Sequence, residues 1–240
     1  MATVSINIQS SRQAAHIHGC KVLVYGEAGS GKTRLCASAP NPFIISAEHG
    51  LLSLRDFDIP TVKVNTIADL ANVFMWLTQS KEAKKFDTIC LDSMSEIAEK
   101  VFSEEMKRTA DPRKLYPKVQ EQVVSAFRSF RDISGKHIAL LAKCGNTQDA
   151  AGIRKYLPEF PGQKLAQAAP YFTDEVFYLH TFDDMNNAYG MGQGYKWRLL
   201  RTQPSIEYTA KDRSGRLNEL EDADPKTGGG LATIFRKMMS

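Results

Sequence analysis

The stretch Gly26-Glu27-Ala28-Gly29-Ser30-Gly31-Lys32-Thr33 constrains the fold of this chain more than any other part of it. It matches GxxxxGK[ST] in full and lies between an apolar run, KVLVY, and a helical stretch that Pro40 ends. Such a loop belongs between a buried strand and a helix N-terminus. There, successive backbone N–H groups turn inward around phosphates and the helix end adds partial positive charge. Lys32 is then placed to reach the β and γ phosphates, and the Thr33 hydroxyl to ligate Mg²⁺. The expected cofactors are ATP and Mg²⁺, and the expected nucleotide-binding set is Gly26 through Thr33 with Arg34. No base-reading motif separates ATP from GTP.

The surrounding pattern fits an α/β protein. Short apolar strands are expected at Lys21–Tyr25, Phe43–Ser46, Thr61–Val64, Thr88–Leu91 and Lys136–Ala142, with little alternation, as in parallel strands buried on both faces. Amphipathic helices are expected between them, at Ile67–Leu77, Met94–Met106 and Pro117–Ile133, the last opening on its proline. After Pro170 the period changes to two, and Glu175–Phe182, Tyr195–Thr202 and Ser205–Ala210 read as antiparallel strands. An acidic, then glycine-rich loop (ELEDADPKTGGG) precedes a short helix from Leu231 to Met239. The expectation is one domain over residues 1–240, its core at about 20–220, with a mostly parallel sheet, helices on both faces and a C-terminal antiparallel β extension.

Composition excludes some classes. The 240 residues carry a net charge of +4, compatible with an anionic partner without requiring one. Cys20, Cys36, Cys90 and Cys144 have no metal-ligand spacing, which points to reduced thiols in the cytoplasm. No signal peptide is recognisable and no apolar run approaches the ~20 residues of a membrane span, so a soluble protein without membrane contact is expected.

Three further residues stand where chemistry needs them. Asp92 closes the run DTICLD and suits the second magnesium carboxylate, although an aspartate there also serves as a helix cap. Glu48 ends the next strand after the loop, and on position alone it reads as a surface-loop glutamate. Lys143 follows the strand ending at Ala142, a place a solvated lysine also occupies.

The segment IISAEHG resembles the strand end of RecA-like ATPases, where the glutamate polarises the attacking water; the resemblance gives that role to Glu48. It gives Lys143 the place of a residue that senses the γ-phosphate, with lysine here where RecA has glutamine. Lys211-Asp212-Arg213-Ser214-Gly215 resembles the Lys-x-Arg-x-Gly motif of hexameric replicative helicases, in which the lysine and arginine reach the adjacent subunit's ATP. The bland alternative is a β-turn with solvated charges. Over most of residues 20–220, GEAGSGKT, IISAEHG, TICLDSMSEI, FPGQKLAQAAPYFTDEVFYL and YTAKDRSGRL together resemble phage-encoded, minimal RecA-core ATPases of single-strand annealing and recombination.

That resemblance implies a DNA-stimulated ATPase in the host cytoplasm, assembled as a ring or filament, with single-stranded DNA and a single-stranded-DNA-binding protein as partners. It also implies that DNA is handled by two loops, Cys144–Gln163 and Asp183–Tyr195, where Arg154, Lys155, Tyr189 and, just after the second, Lys196 supply cations and an aromatic. A glycine-rich hairpin with no ligand stays open for the second stretch. Two other readings remain: an annealing scaffold in which ATP is a structural ligand, and a helicase-loader-type motor acting on a protein.

Overall fold

The computed structural model describes residues 8, 10–48, 50–109, 111–148, 150–187 and 190–240. His49 and the DNA-contact candidate Tyr189 lie outside the described residues, as do the side chains of Arg12 and His16. Helix α1 (Ser11–His18) opens on a capping box in which Ser10 and Gln13 exchange hydrogen bonds. Then follow β1 (Lys21–Gly26), α2 (Lys32–Cys36), β2 (Pro42–Ser46), β3 (Thr61–Lys63), α3 (Ile67–Gln79), β4 (Thr88–Asp92), α4 (Met94–Met106) and α5 (Pro112–Arg131). The second half contributes β5 (His137–Gln148), β6 (Arg154–Pro158), α6 (Gln163–Ala168), β7 (Glu175–Asp184), β8 (Tyr195–Arg201), β9 (Lys211–Asp212), β10 (Leu220–Asp222) and α7 (Leu231–Met239).

The strands run in the order β10-β8-β7-β1-β5-β4-β2-β3, with β6 added to β5 and β9 to β7. Every pairing from β7 across to β3 is parallel. Strands β6, β8, β9 and β10 pair antiparallel. Because side chains alternate along a strand, β1 sends Leu23 and Tyr25 to one face and Val22 and Val24 to the other. The first face packs under α3, α4 and α5 through Leu70, Ile97, Val101, Val123 and Phe127. The second is covered by α2 and α7 through Leu35, Ile234 and Phe235. Helix α7 is fastened beneath α2: Leu231 N–H donates to Ser38 Oγ at 2.9 Å, and Phe235 stacks on His137 with centroids 4.6 Å apart.

Three expectations are corrected. Helix α5 starts at Pro112 rather than Pro117, because Asp111 caps it by accepting the Arg113 N–H at 3.0 Å, and Pro117 falls inside the helix. Residues 205–210 form no strand; Ser205 and Tyr208 close a local turn, leaving one bridge from Tyr208 to Tyr156, and the strand beside β7 is Lys211–Asp212. Cys144–Gln163 is not a loop: β5 runs on to Gln148 and pairs with β6 as a hairpin, followed by the start of α6.

Candidate functional site

Strand β1 is buried along its length, and Gly26 closes it. A side chain at Gly26 would stand 2.9 Å from the Leu179 carbonyl oxygen, so the strand can turn there only as glycine. Gly31, at φ 101°, takes the backbone into α2 through a left-handed conformation, and a Cβ on it would meet Arg198 Nε at 2.8 Å. Helix α2 starts without a side-chain cap, which leaves its first N–H groups facing the loop. The Ser30 hydroxyl is buried there without a hydrogen-bond partner among the described residues.

Lys32 Nζ donates to the Gly26 and Glu27 carbonyls at 2.7 and 2.9 Å. Burial holds its pKa below the ordinary lysine value, and the charges of Glu48 and Asp92 partly offset this. Glu48 and Asp92 therefore act electrostatically on the same ammonium. Thr33 Oγ1 donates to Asp92 Oδ2 at 2.5 Å. Burial pushes the Asp92 carboxyl up to about 6; the Thr33 hydrogen bond and the Lys32 charge pull it down, while Glu48 adds to the rise. Asp92 Oδ1 is buried and has no hydrogen-bond partner among the described residues.

That orphaned oxygen tests the fit to magnesium. A hydroxyl and a carboxylate side by side, with one carboxylate oxygen unspent, make a hard-oxygen pair of the kind Mg²⁺ takes together with substrate phosphates. Among the described residues no group of three or more His, Cys, Asp or Glu side chains could hold a metal unaided, as expected of an ion shared with a nucleotide. Thr33 and Asp92 would hold it, and the charge it supplies when bound is neutralisation of the phosphate oxygens.

Glu48 lies at the tip of β2, beside Asp92 in the sheet, with its N–H 3.4 Å from the Asp92 carbonyl oxygen. Ser93 Oγ donates to Glu48 Oε1 at 2.5 Å and also accepts the Glu96 N–H at 3.3 Å, so one serine caps α4 and aims the glutamate. Lys100 braces the strand end from α4, donating to the Ala47 carbonyl at 2.5 Å. The arrangement can cradle a triphosphate at Gly26–Lys32, hold a metal at Thr33 and Asp92, and present an exposed carboxylate to water.

The other expected residues are placed differently. Lys143 pairs in register with Gly26, but its ammonium is bound by Glu96 at 3.0 Å and Glu99 at 2.9 Å on α4. Burial alone would lower its pKa; the hydrogen bonds it donates to Glu99 and Glu96 outweigh that and carry it above the ordinary value. Lys211 and Arg213 sit at the opposite end of the sheet. Asp212 pairs with Glu175, which pairs with Val22, roughly 13 Å down the strand from Gly26 at ~3.3 Å per residue. Lys211 Nζ donates to the Pro170 and Thr173 carbonyls, and Arg213 pairs with Asp174 at 2.8 Å. Arg154 and Lys155 are exposed on β6, while Lys196 on β8 pairs with Asp183 at 3.3 Å. The hairpin that carries Arg154 and Lys155 is tied to the phosphate strand, since Tyr25 Oη donates to the carbonyls of Tyr156 at 3.2 Å and Thr209 at 2.8 Å.

Sequence reasoning missed Ser93 as the residue that orients Glu48, and Arg198 as the side chain against Gly31. Ser93 had a local signal, the serine after Asp92 and three before Glu96, which reads as a helix cap. Arg198 had none, because its contact depends on β8 returning beside β7.

Residues 18–214 match the family profile described as an AAA domain. None of the curated proteins matches the chain.

Proposed function

The chain belongs to the AAA-domain family of P-loop ATPases, and from that premise we propose that it is a magnesium-dependent ATPase on a RecA-like core that binds single-stranded DNA and promotes strand annealing and homologous recombination as an oligomer. The observation that carries the ATPase part is the convergence of Lys32, Thr33, Asp92 and Glu48 at the tips of β1, β4 and β2. The RecA-like reading is supported by the central position of the phosphate strand between parallel β5 and β7, with the carboxylates on β4 and β2.

The DNA part is supported by the β5–β6 hairpin. It leaves the sheet at Lys143, next to the phosphate loop, and exposes Arg154 and Lys155. The oligomer reading takes its support from the resemblance of Lys211-Asp212-Arg213 to the helicase motif and from Arg213, exposed and so far along the sheet from its own cradle that a nucleotide it met would be a neighbour's.

The deciding experiment is ATP hydrolysis with and without single-stranded DNA, with Lys32→Ala as the blank. The expected result is turnover stimulated by DNA and abolished in the variant. Turnover indifferent to DNA would leave the ATPase standing and defeat the DNA part. Gel filtration with ATP and single-stranded DNA tests the assembly, and a monomer throughout would remove the role given to Lys211 and Arg213.

A further inference from the structure

A cleft of about 730 Å³ opens beside β6, α6 and the start of β9, and its wall includes Thr147, Lys155, Lys164, Gln167, Tyr171 and Lys211 but, among the described residues, no acidic side chain. The expected site cations Lys143, Lys196 and Arg213 each face a carboxylate. Here Lys155 and Lys164 are exposed on different elements, one on the hairpin and one on α6, and neither has an ion pair among the described residues. A concavity of this size accommodates small-ligand-sized groups, and one whose charged residues are all cations favours an anion.

The aromatic in the cleft is held in an unusual way. Tyr171 is 80% exposed, so its ring contributes little to the core. Yet its backbone is fixed, because the Lys211 ammonium donates to the carbonyls on either side, Pro170 at 2.7 Å and Thr173 at 2.5 Å. A ring presented to water on a clamped turn, flanked by cations, meets the two requirements of single-strand binding: a face for a base and charges for the backbone.

We propose that this cleft is the track of a single nucleic-acid strand, with phosphates against Lys155 and Lys164, a base stacked on Tyr171, and Lys211 as the positioning residue for that ring. The inference rests on the proposed binding of single-stranded DNA and adds residues outside the hairpin, Lys164 and Tyr171, to its binding surface. Lys211 then does structural work within its own chain whatever an adjacent subunit requires of it.

The test is fluorescence anisotropy of a labelled oligothymidylate with the full chain and ATP, titrated over a range of salt, using variants whose melting temperature matches the parent. Lys155→Ala with Lys164→Ala should flatten the dependence of log K on log salt by about 1.4, at ~0.7 for each single-strand phosphate left without its lysine. Tyr171→Ala should weaken binding by roughly 5- to 150-fold, the range for removing one stacked base, and leave the slope unchanged. Tyr171→Phe should bind as the parent does. If the parent binds and the variants bind equally well with the same slope, the cleft is overturned and the DNA reading survives. If the parent itself fails to bind at low salt, the DNA reading falls and this inference falls with it.

Discussion

Glu48 and Ser93 divide one task between them. The glutamate offers the carboxylate, and the serine hydroxyl, 2.5 Å away, fixes where it points. Removing the base without its shape, in Glu48→Gln, should lower kcat by about 10²- to 10⁴-fold, the usual worth of a general base, with little change in KM for ATP. Ser93→Ala should act more mildly and in the same direction, lowering kcat by on the order of tenfold with KM kept, because it frees the glutamate to wander. Steady-state ATPase assays separate the two parameters. A Ser93→Ala enzyme with parental kcat would show that Glu48 needs no orienting partner. Neither role is written in the sequence with equal clarity. Glu48 stands in a recognisable strand end, whereas the aim of Ser93 depends on β2 and β4 lying side by side.

Among the elements, α5 shows why a local rule can choose the wrong residue. Both Pro112 and Pro117 suit the first turn of a helix, and only the Asp111 cap, which bonds the Arg113 N–H, selects the earlier one. Pro117 then lies within the helix on an exposed position, where it supplies no N–H to the Arg113 carbonyl. Pro117→Ala should therefore stabilise the protein, by on the order of 1–3 kcal/mol, read from urea unfolding. An unchanged or lowered midpoint would mean that Pro117 is needed to seat Val119 and Val123. Other elements were legible because their signals are local: α4 runs over the expected Met94–Met106, and the parallel strands carry their unbroken apolar runs. The β5–β6 hairpin was not, since Cys144–Gln148 and Arg154–Pro158 are mixed in character and become strands only by pairing with each other.

Across the whole molecule, the two ends of the sheet differ in chemistry. The phosphate end gathers glycines and carboxylates, and the far end ties β7 to β9 through buried Glu175, whose carboxylate accepts the Arg213 and Ser214 N–H groups at 3.1 and 3.0 Å. Burial pushes Glu175 up to about 7, although the Ser214 and Arg213 hydrogen bonds work against the rise. The native state thus binds this proton more tightly than the unfolded chain, whose glutamate titrates near 4.5. Its contribution to stability is full below about 4.5 and is lost as pH rises through about 7. Thermal melts between those values should show the parent losing stability relative to Glu175→Gln; parallel curves would exclude the linkage. The broad plan, a parallel sheet around a phosphate loop, was readable from motif and period. The placement of Lys211 and Arg213 away from their own cradle was not, because it follows from which strand β9 joins.

Helix α7 also sets a schedule for synthesis. A chain leaves the ribosome from its N-terminus and folds in the order in which it appears. Every residue of the chain's own ATP cradle and metal pair lies before Ser93, yet the turn after α2 is held by the Leu231 N–H bound to Ser38, and Phe235 covers the start of β5 by stacking on His137. The cradle is thus translated early and supported last. Chains cut after Gly230 should bind ATP more weakly than the whole protein, measured by equilibrium dialysis, and equal affinity would mean that the last helix arrives at a site already formed. Until those residues emerge, the face of β1 and α2 that carries Val22, Val24 and Leu35 stands uncovered, and that interval is when the newborn chain shows most apolar surface there.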